Sequence, residues 1–409
     1  MNMKRPLAFL LAAGMTLGLA ACGGNGGTSG SGSSGSSGSA GGSAVTLDLW
    51  AFNIGGFTEA SNWDTILAAF NEQHPDITVN VTPINYQDGD QKLTSAITSN
   101  SGPDIIFEGP ERIVGNYARE GLMVDLSDLW TAGGSDIAEG ISSVSQLDGT
   151  YYMYPLSVAA HCMAINYEVF EAAGALQYID EETRTWSTDD FVAAMEAIKT
   201  AIDNGTVSLA TPGIVYCGAQ GGDQGTRALV NNLYSDYYVN DDGTSYNANS
   251  ANNVKALTLL QEMVNEGSLS ANASYAAADE LQAFANQTCA VTFCWNYSNY
   301  TQYAEQTQFT PFAMAFPSDD SQPELEMAGP YGFGVFDKGD EAKIEAAKTF
   351  IDFVCNDQTV GTEAVKTTGF FPVHADWGDV YAGDADAGLR APFALMSDYL
   401  GRYYNLTGG

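Results

Sequence analysis

The chain has 409 residues with 15 basic and 50 acidic side chains, a formal net charge of −35, and 45% apolar and 11% aromatic residues. Nucleic acid is held mainly by Lys and Arg, so this deficit excludes a nucleic-acid binder, and the same repulsion disfavours anionic membrane surfaces and phosphorylated ligands. The apolar content excludes a disordered chain and, at this length, predicts a core shared between two lobes.

Residues 1–21 read as a secretion signal: Lys4 and Arg5 form a positive start, and Leu7 to Leu19 form an apolar run too short to span a bilayer stably. The run ends in Leu19-Ala20-Ala21-Cys22, which resembles the lipobox of bacterial lipoproteins. In that resemblance Cys22 is lipidated on its thiol and becomes the mature N-terminus. The membrane would then be reached through the lipid anchor only, with no transmembrane helix. Residues 22–44 follow as a tether of Gly and Ser, a flexible coil with a root-mean-square span of roughly 25 Å. Gly30, Gly32 and Gly35 spell a dinucleotide-loop motif there, but the motif needs a preceding strand and a following helix, which a Gly/Ser run cannot supply.

Beyond the tether, strands and helices alternate. Val45 to Trp50 reads as a strand, Thr65 to Phe70 opens an amphipathic helix ending near His74-Pro75, and Ile77 to Val81 is a second strand. A helix at Lys92 to Thr98 leads into the apolar strand Asp104 to Phe107. Strands are expected again at Met163 to Tyr167, Gly213 to Cys217 and Ala290 to Trp295. Helices are expected at Thr188 to Ile202, Ser250 to Asn265, Asp279 to Ala285 and Glu341 to Val354, the last with Ile344, Ala347, Ile351 and Val354 along one face. Asp241-Asp242-Gly243 marks a surface turn. The fold class is α/β, with mixed sheets flanked by helices and ligands admitted at the carboxyl ends of the strands.

Familiar reaction chemistry finds little support. Five thiols follow Cys22, an odd, strand-embedded set that makes a poor disulfide framework and is expected to be mostly buried and reduced. Three dispersed histidines and the lone Cys289–Cys294 spacing give no metal motif, and no cofactor is implied. A secreted glycoside hydrolase would need paired carboxylates, which occur by chance everywhere among 50 acids. Without a nucleophile elbow, metal motif or phosphate loop, the chain reads as a non-enzyme.

A series of ordered blocks supplies the functional reading. They are Phe70-Asn71-Glu72-Gln73-His74-Pro75-Asp76-Ile77, Gly102-Pro103-Asp104-Ile105-Ile106-Phe107, Tyr117-Ala118-Arg119-Glu120-Gly121-Leu122 and Gly149-Thr150-Tyr151-Tyr152-Met153-Tyr154-Pro155. Asn166-Tyr167, Thr185-Trp186-Ser187, Ala283-Phe284-Ala285, Ala290-Val291 and Phe371-Pro372-Val373 follow in the same order. Together they resemble the extracellular solute-binding proteins of bacterial ABC importers, in the sugar-binding branch around the maltose binders. The resemblance implies a type II periplasmic-binding-protein-like fold of two lobes, crossed three times by the chain and closing on a ligand. We expect the crossings near Pro155, Thr288 to Ala290 and Lys338, giving a first lobe of residues 45–155 plus 289–338 and a second of 156–288 plus 339–409.

The resemblance also implies partners: a neutral mono- or oligosaccharide, and the transmembrane permease subunits of the importer. It implies a lipid-anchored monomer on the outer face of the cytoplasmic membrane, as in Gram-positive bacteria. The alternative is the same fold taking a cation, a polyamine or metal ion, drawn in by the negative field.

Ligand residues carry over only in part. Where the maltose binders have a tryptophan followed by an Asp-Arg pair, this chain has Glu108, Glu111 and Arg112. Gln220 matches an acid of those relatives, with Asp223 nearby, and Trp295 and Tyr297 lie where they have a stacking tryptophan. Position at strand ends adds Trp50, Asn53, Tyr154, His161 and Tyr331. The competing reading makes Glu111-Arg112 a solvated helical turn, Trp295 and Tyr297 core packing, and His161 a satisfied interior histidine.

Overall fold

A computed structural model describes residues 44–86, 88–218, 224–240 and 245–401, which belong to one compact unit. Cys22, the signal and nearly all of the tether, Gln220, Asp223 and the Asp241–Gly243 turn lie outside the described residues.

Val45–Phe52 pairs in parallel with Ile77–Ile84 on one side and Ile105–Glu108 on the other. The helices Asp64–Gln73 and Gly89–Thr98 supply the crossovers, so the expected βαβαβ start is present. Met327–Val335 then joins antiparallel to Ile105–Glu108, and Tyr154–Ala160 antiparallel to Met327–Val335. The six-stranded mixed sheet has the order 371–372, 154–160, 327–335, 105–108, 45–52, 77–84. Pro83 is tolerated inside the last of these because that strand lies at the sheet edge, where a missing N–H breaks no ladder.

A second, three-stranded sheet places Cys162–Asn166 between Val291–Trp295 and Pro311–Met314. Long helices cover it. Thr188–Asp203 starts at Ser187, whose side chain accepts from the Asp190 N–H, and Ala251–Glu266 stops at Gly267 in the left-handed conformation.

These sheets organise two apolar cores. The first contains Leu47, Leu49, Phe107, Phe333 and, from the Glu341–Asn356 helix, Ile344, Ala347, Ile351 and Val354. The second contains Ile165, Phe191, Phe293, Met314, Phe316 and the C-terminal Phe393 and Met396. The chain therefore passes between cores at Ala159–His161, near Leu325–Glu326 and again between Val373 and Phe393. By core membership, residues 289–325 build the second core and 341–373 build the first. The physical reason is strand pairing. Val291–Trp295 hydrogen-bonds to Cys162–Asn166, and the Glu341–Asn356 helix packs on the first sheet, facts that local periodicity does not carry.

The Gly102-Pro103-Asp104 block is structural. Asp104 is buried at the start of its strand, accepts from the Asp48 N–H at 2.9 Å, and pairs with Lys338 at 2.6 Å and Lys343 at 2.8 Å. Burial would raise its pKa, but the two ammonium groups outweigh that and hold it below the usual carboxylate range. The loop after the first strand is fixed just as firmly: Gly56 N–H donates to the Thr367 carbonyl at 2.8 Å. Gly55 has φ +55°, and a Cβ there would stand 1.8 Å from the Thr368 carbonyl oxygen.

Candidate functional site

The carboxyl ends of the parallel strands gather at one edge of the first sheet, bringing Asn53, Tyr86 and Glu108 together. The Pro110–Arg112 turn begins beside Glu108, with Pro110 at its first position, and hands over to a π-helical segment Ile113–Ala118. It carries Glu111 and Arg112 on the same edge. Tyr331 arrives on the neighbouring antiparallel strand just beyond the cis Gly329-Pro330 bond, opposite Ser157.

Arg112 is held by protein groups on every nitrogen. Its Nε and Nη2 donate to Asp90 at 2.7 and 3.0 Å, and its Nη1 donates to Glu108 at 2.9 Å. The guanidinium carbon lies 4.7 Å from the Phe52 ring centre and 5.3 Å from that of Tyr86. Burial would loosen its proton, but the Asp90 hydrogen bond and the Glu108 charge reverse that and raise the pKa. Asp90 is correspondingly held low by the Arg112 hydrogen bond.

Glu108 behaves differently. It is buried, also accepts from the Gly109 N–H, and is pushed up to about 8, chiefly by burial, with the Glu111 and Asp90 charges adding to the shift. Burial disfavours the charged carboxylate, and the Arg112 guanidinium beside it opposes that shift without cancelling it. Glu111 is exposed and pairs with no cation. Tyr331 is half-buried, stacks on Phe370 at 5.5 Å and 22°, and has its pKa raised by burial, by Glu108 and Glu111, and by Cys294.

That last influence places the edge opposite the second core. Cys294 belongs to the Val291–Trp295 strand, and its sulfur accepts from Gln224 Nε2 at 2.9 Å. Gln224 opens the Gln224–Leu233 helix directly after residues 219–223. Tyr331 on the first sheet therefore lies within electrostatic reach of Cys294 in the second core, beside Gln224.

Several expected site residues are elsewhere. Trp295 is fully buried in the second core, edge-on to Phe284 at 5.5 Å. Tyr297 is 5% exposed, with the Arg390 guanidinium 3.7 Å from its ring centre and its hydroxyl on Asp386. Tyr154 is buried and donates to Asn356 Oδ1 at 2.7 Å within the first core. Strand alternation and helix packing turn these three rings inward, so none offers a ligand platform. Trp50 lines a flank groove with Thr82, Gln91, Lys92 and Ser95.

His161 is an interior residue at a chain crossing. Its Nε2 bonds the Phe293 carbonyl at 3.0 Å, and burial, reinforced by the Arg227 charge, lowers its pKa to about 4. Asn53 stays at the edge, its backbone N–H on Ile84 and its buried side-chain oxygen without a protein partner. Cys162, Cys289, Cys294 and Cys355 are buried free thiols, whereas Cys217 is exposed. Among the described residues no group of three His, Cys, Asp or Glu side chains is placed to hold a metal ion, and no helix is long and apolar enough to cross a membrane.

Sequence reasoning missed Tyr86 and Asp90. Both follow the carboxyl end of the second strand, so the strand-end rule that selected Asn53 also reaches them.

The model of the family described as bacterial extracellular solute-binding protein matches residues 65–389. The diacetylchitobiose binding protein DasA of Streptomyces coelicolor is 31% identical over 173 residues, which is 42% of this chain and 39% of that relative. The ABC substrate-binding protein Lmo0181 of Listeria monocytogenes, solved in complex with cycloalternan, has a TM-score of 0.68 at 20% identity, covering 88% of each chain. An ABC transporter solute-binding protein of Thermotoga lettingae, bound with α-D-tagatose, has a TM-score of 0.69 at 16% identity, covering 88% of this chain and 89% of that one. These structures share the two-lobe α/β architecture. With the family match extending over most of its length, this chain belongs to the bacterial extracellular solute-binding proteins.

Proposed function

We propose that the chain is the substrate-binding component of an ABC importer, capturing a neutral mono- or oligosaccharide between its lobes and delivering it to membrane permease subunits. The observation that carries this reading is the polar strand-end cluster of Asn53, Glu108, Glu111 and Tyr331, whose Tyr331 lies within electrostatic reach of Cys294 in the second core. The exposed Glu111 carboxylate can accept from hydroxyl groups, and the Asn53 side-chain oxygen, without a protein partner, can accept another. The carbohydrates named for DasA, Lmo0181 and the Thermotoga protein point to the same class.

Binding, without catalysis, is the activity of this reading. A ligand that touches both lobes favours the closed arrangement by its differential affinity, and the permease reads closure as occupancy. Gln220 and Asp223, which precede Gln224 in the sequence, are proposed as further contacts. Lipidation of Cys22 would keep this monomer at the outer face of the cytoplasmic membrane.

Calorimetry on the protein beginning at Ala44 tests the proposal, with neutral glycans compared against polyamines and divalent metal ions. One-to-one binding of a neutral glycan, little altered by salt, is expected. Binding of cations alone, weakened sharply by salt, would overturn it in favour of the cationic alternative.

A further inference from the structure

We infer that Tyr86 is the aromatic platform of the first lobe, on which the apolar face of the ligand's sugar ring rests. This rests on the carbohydrate reading above and adds the residue that fixes where the ring sits. A pyranose presents a face of C–H groups that gains from contact with an exposed aromatic ring already fixed in place.

Tyr86 meets that description through three observations. The residue is 43% exposed, and of the five large apolar residues this exposed among the described residues it alone stands at the strand-end edge. The others, Tyr246, Val254, Leu257 and Leu389, belong to the second lobe's outer hairpin and helices. Second, the ring is packed: its centre lies 5.0 Å from that of Phe52 at a tilt of 31°. Third, the Arg112 guanidinium lies 5.3 Å from the ring centre and is itself fixed by Asp90 and Glu108, which holds one neighbour of the ring in place.

The alternatives are already used. Trp295 is in the core, Tyr297 is covered by Arg390, Tyr154 is in the first core, and Tyr331 is stacked on Phe370.

The test is calorimetry on the protein beginning at Ala44 with maltotriose, N,N′-diacetylchitobiose, cellotriose and xylotriose. Tyr86→Ala should weaken the glycan that binds by about tenfold or more, Tyr86→Phe by only a few-fold, and Tyr86→Trp should bind as tightly as Tyr86 or better. The ligand-free melting temperature of the Phe and Trp variants should stay near that of the parent, which a merely structural ring would not predict alongside a loss in the Ala variant. Should Tyr86→Ala fail to fold, Tyr86→Leu replaces it, keeping the apolar contact with Phe52 but offering no ring face. Affinity within about twofold of the parent in Tyr86→Ala or Tyr86→Leu overturns the platform while leaving the carbohydrate reading intact. A parent that binds none of the glycans overturns both.

Discussion

Arg112 and Asp90 form a two-point ion pair, Nε to Oδ1 at 2.7 Å and Nη2 to Oδ2 at 3.0 Å, joining the turn after the third strand to the helix after the second. An Arg112 free to donate its fork to ligand hydroxyls would leave folding intact when replaced. With every nitrogen engaged, Arg112 instead positions Tyr86 and Glu108.

Arg112→Ala should therefore lower the stability of the ligand-free protein by about 1–3 kcal/mol, because the pair is only partly buried and Glu108 loses its one cation. Arg112→Lys should recover part of this, lacking the fork that meets both Asp90 oxygens. Urea denaturation without ligand measures both. A wild-type midpoint in Arg112→Ala would mean that the fork contributes nothing to folding.

Stability should fall between about pH 4.5 and pH 8, and Glu280 should account for part of the fall. Its carboxyl is fully buried, accepts from Thr292 Oγ1 at 2.6 Å and the Phe293 N–H at 2.9 Å, and is raised by burial to about 8 despite those bonds. A raised acid holds its proton better folded than unfolded. Its contribution is therefore complete below the unfolded value near 4.5 and is lost as pH rises through the folded value near 8. Glu280→Gln keeps the shape and an acceptor oxygen, so its melting temperature should vary less across this window. Parallel curves for Glu280→Gln and wild type would contradict the assignment.

The C-terminal segment should act as a strap between the two cores. Arg390 lies 3.7 Å from the ring centre of Tyr297 and 3.8 Å from that of Tyr381, bonds Asp386 at 3.0 Å, and reaches the Gly369 carbonyl at 3.2 Å. Tyr297 packs with the second core, while Lys366, which pairs with Asp384 at 2.8 Å, extends from the helix ending at Thr368 beside the first. Arg390→Ala should cost about 1–3 kcal/mol and expose residues 378–401 to limited proteolysis. An unchanged cleavage pattern would show that the strap is held by Phe393 and Met396 alone.

Gly55→Ala should destabilise by about 2 kcal/mol or more, since the substitution meets both an unfavourable positive φ and the Thr368 carbonyl oxygen. Gly121 also has positive φ but has nothing within 4 Å of an added Cβ. Gly121→Ala should therefore be milder, and thermal melts of the two variants separate the steric part from the torsional part.

Local sequence determined most of the elements. The 3.6-residue recurrence of Ile344, Ala347, Ile351 and Val354 defines a buried helix face, and the alternation at Val45 to Trp50 defines a strand, because both follow from side-chain geometry within a few residues. Charge excluded nucleic acid, and the ordered blocks indicated the family. What only the tertiary structure decided was which core each element joins and which polar groups are already satisfied. Residues 289–325 read correctly as a strand and its sequel, yet their place is set by pairing with Cys162–Asn166, a contact more than 120 residues away in the chain. Trp295 has the ring chemistry of a platform, but strand alternation points it into the second core, and Arg112 has the chemistry of a ligand donor but spends three of its N–H groups on Asp90 and Glu108. A side chain's chemical capacity is written in the sequence. Whether that capacity remains free for a ligand depends on neighbours that only folding brings within hydrogen-bond distance.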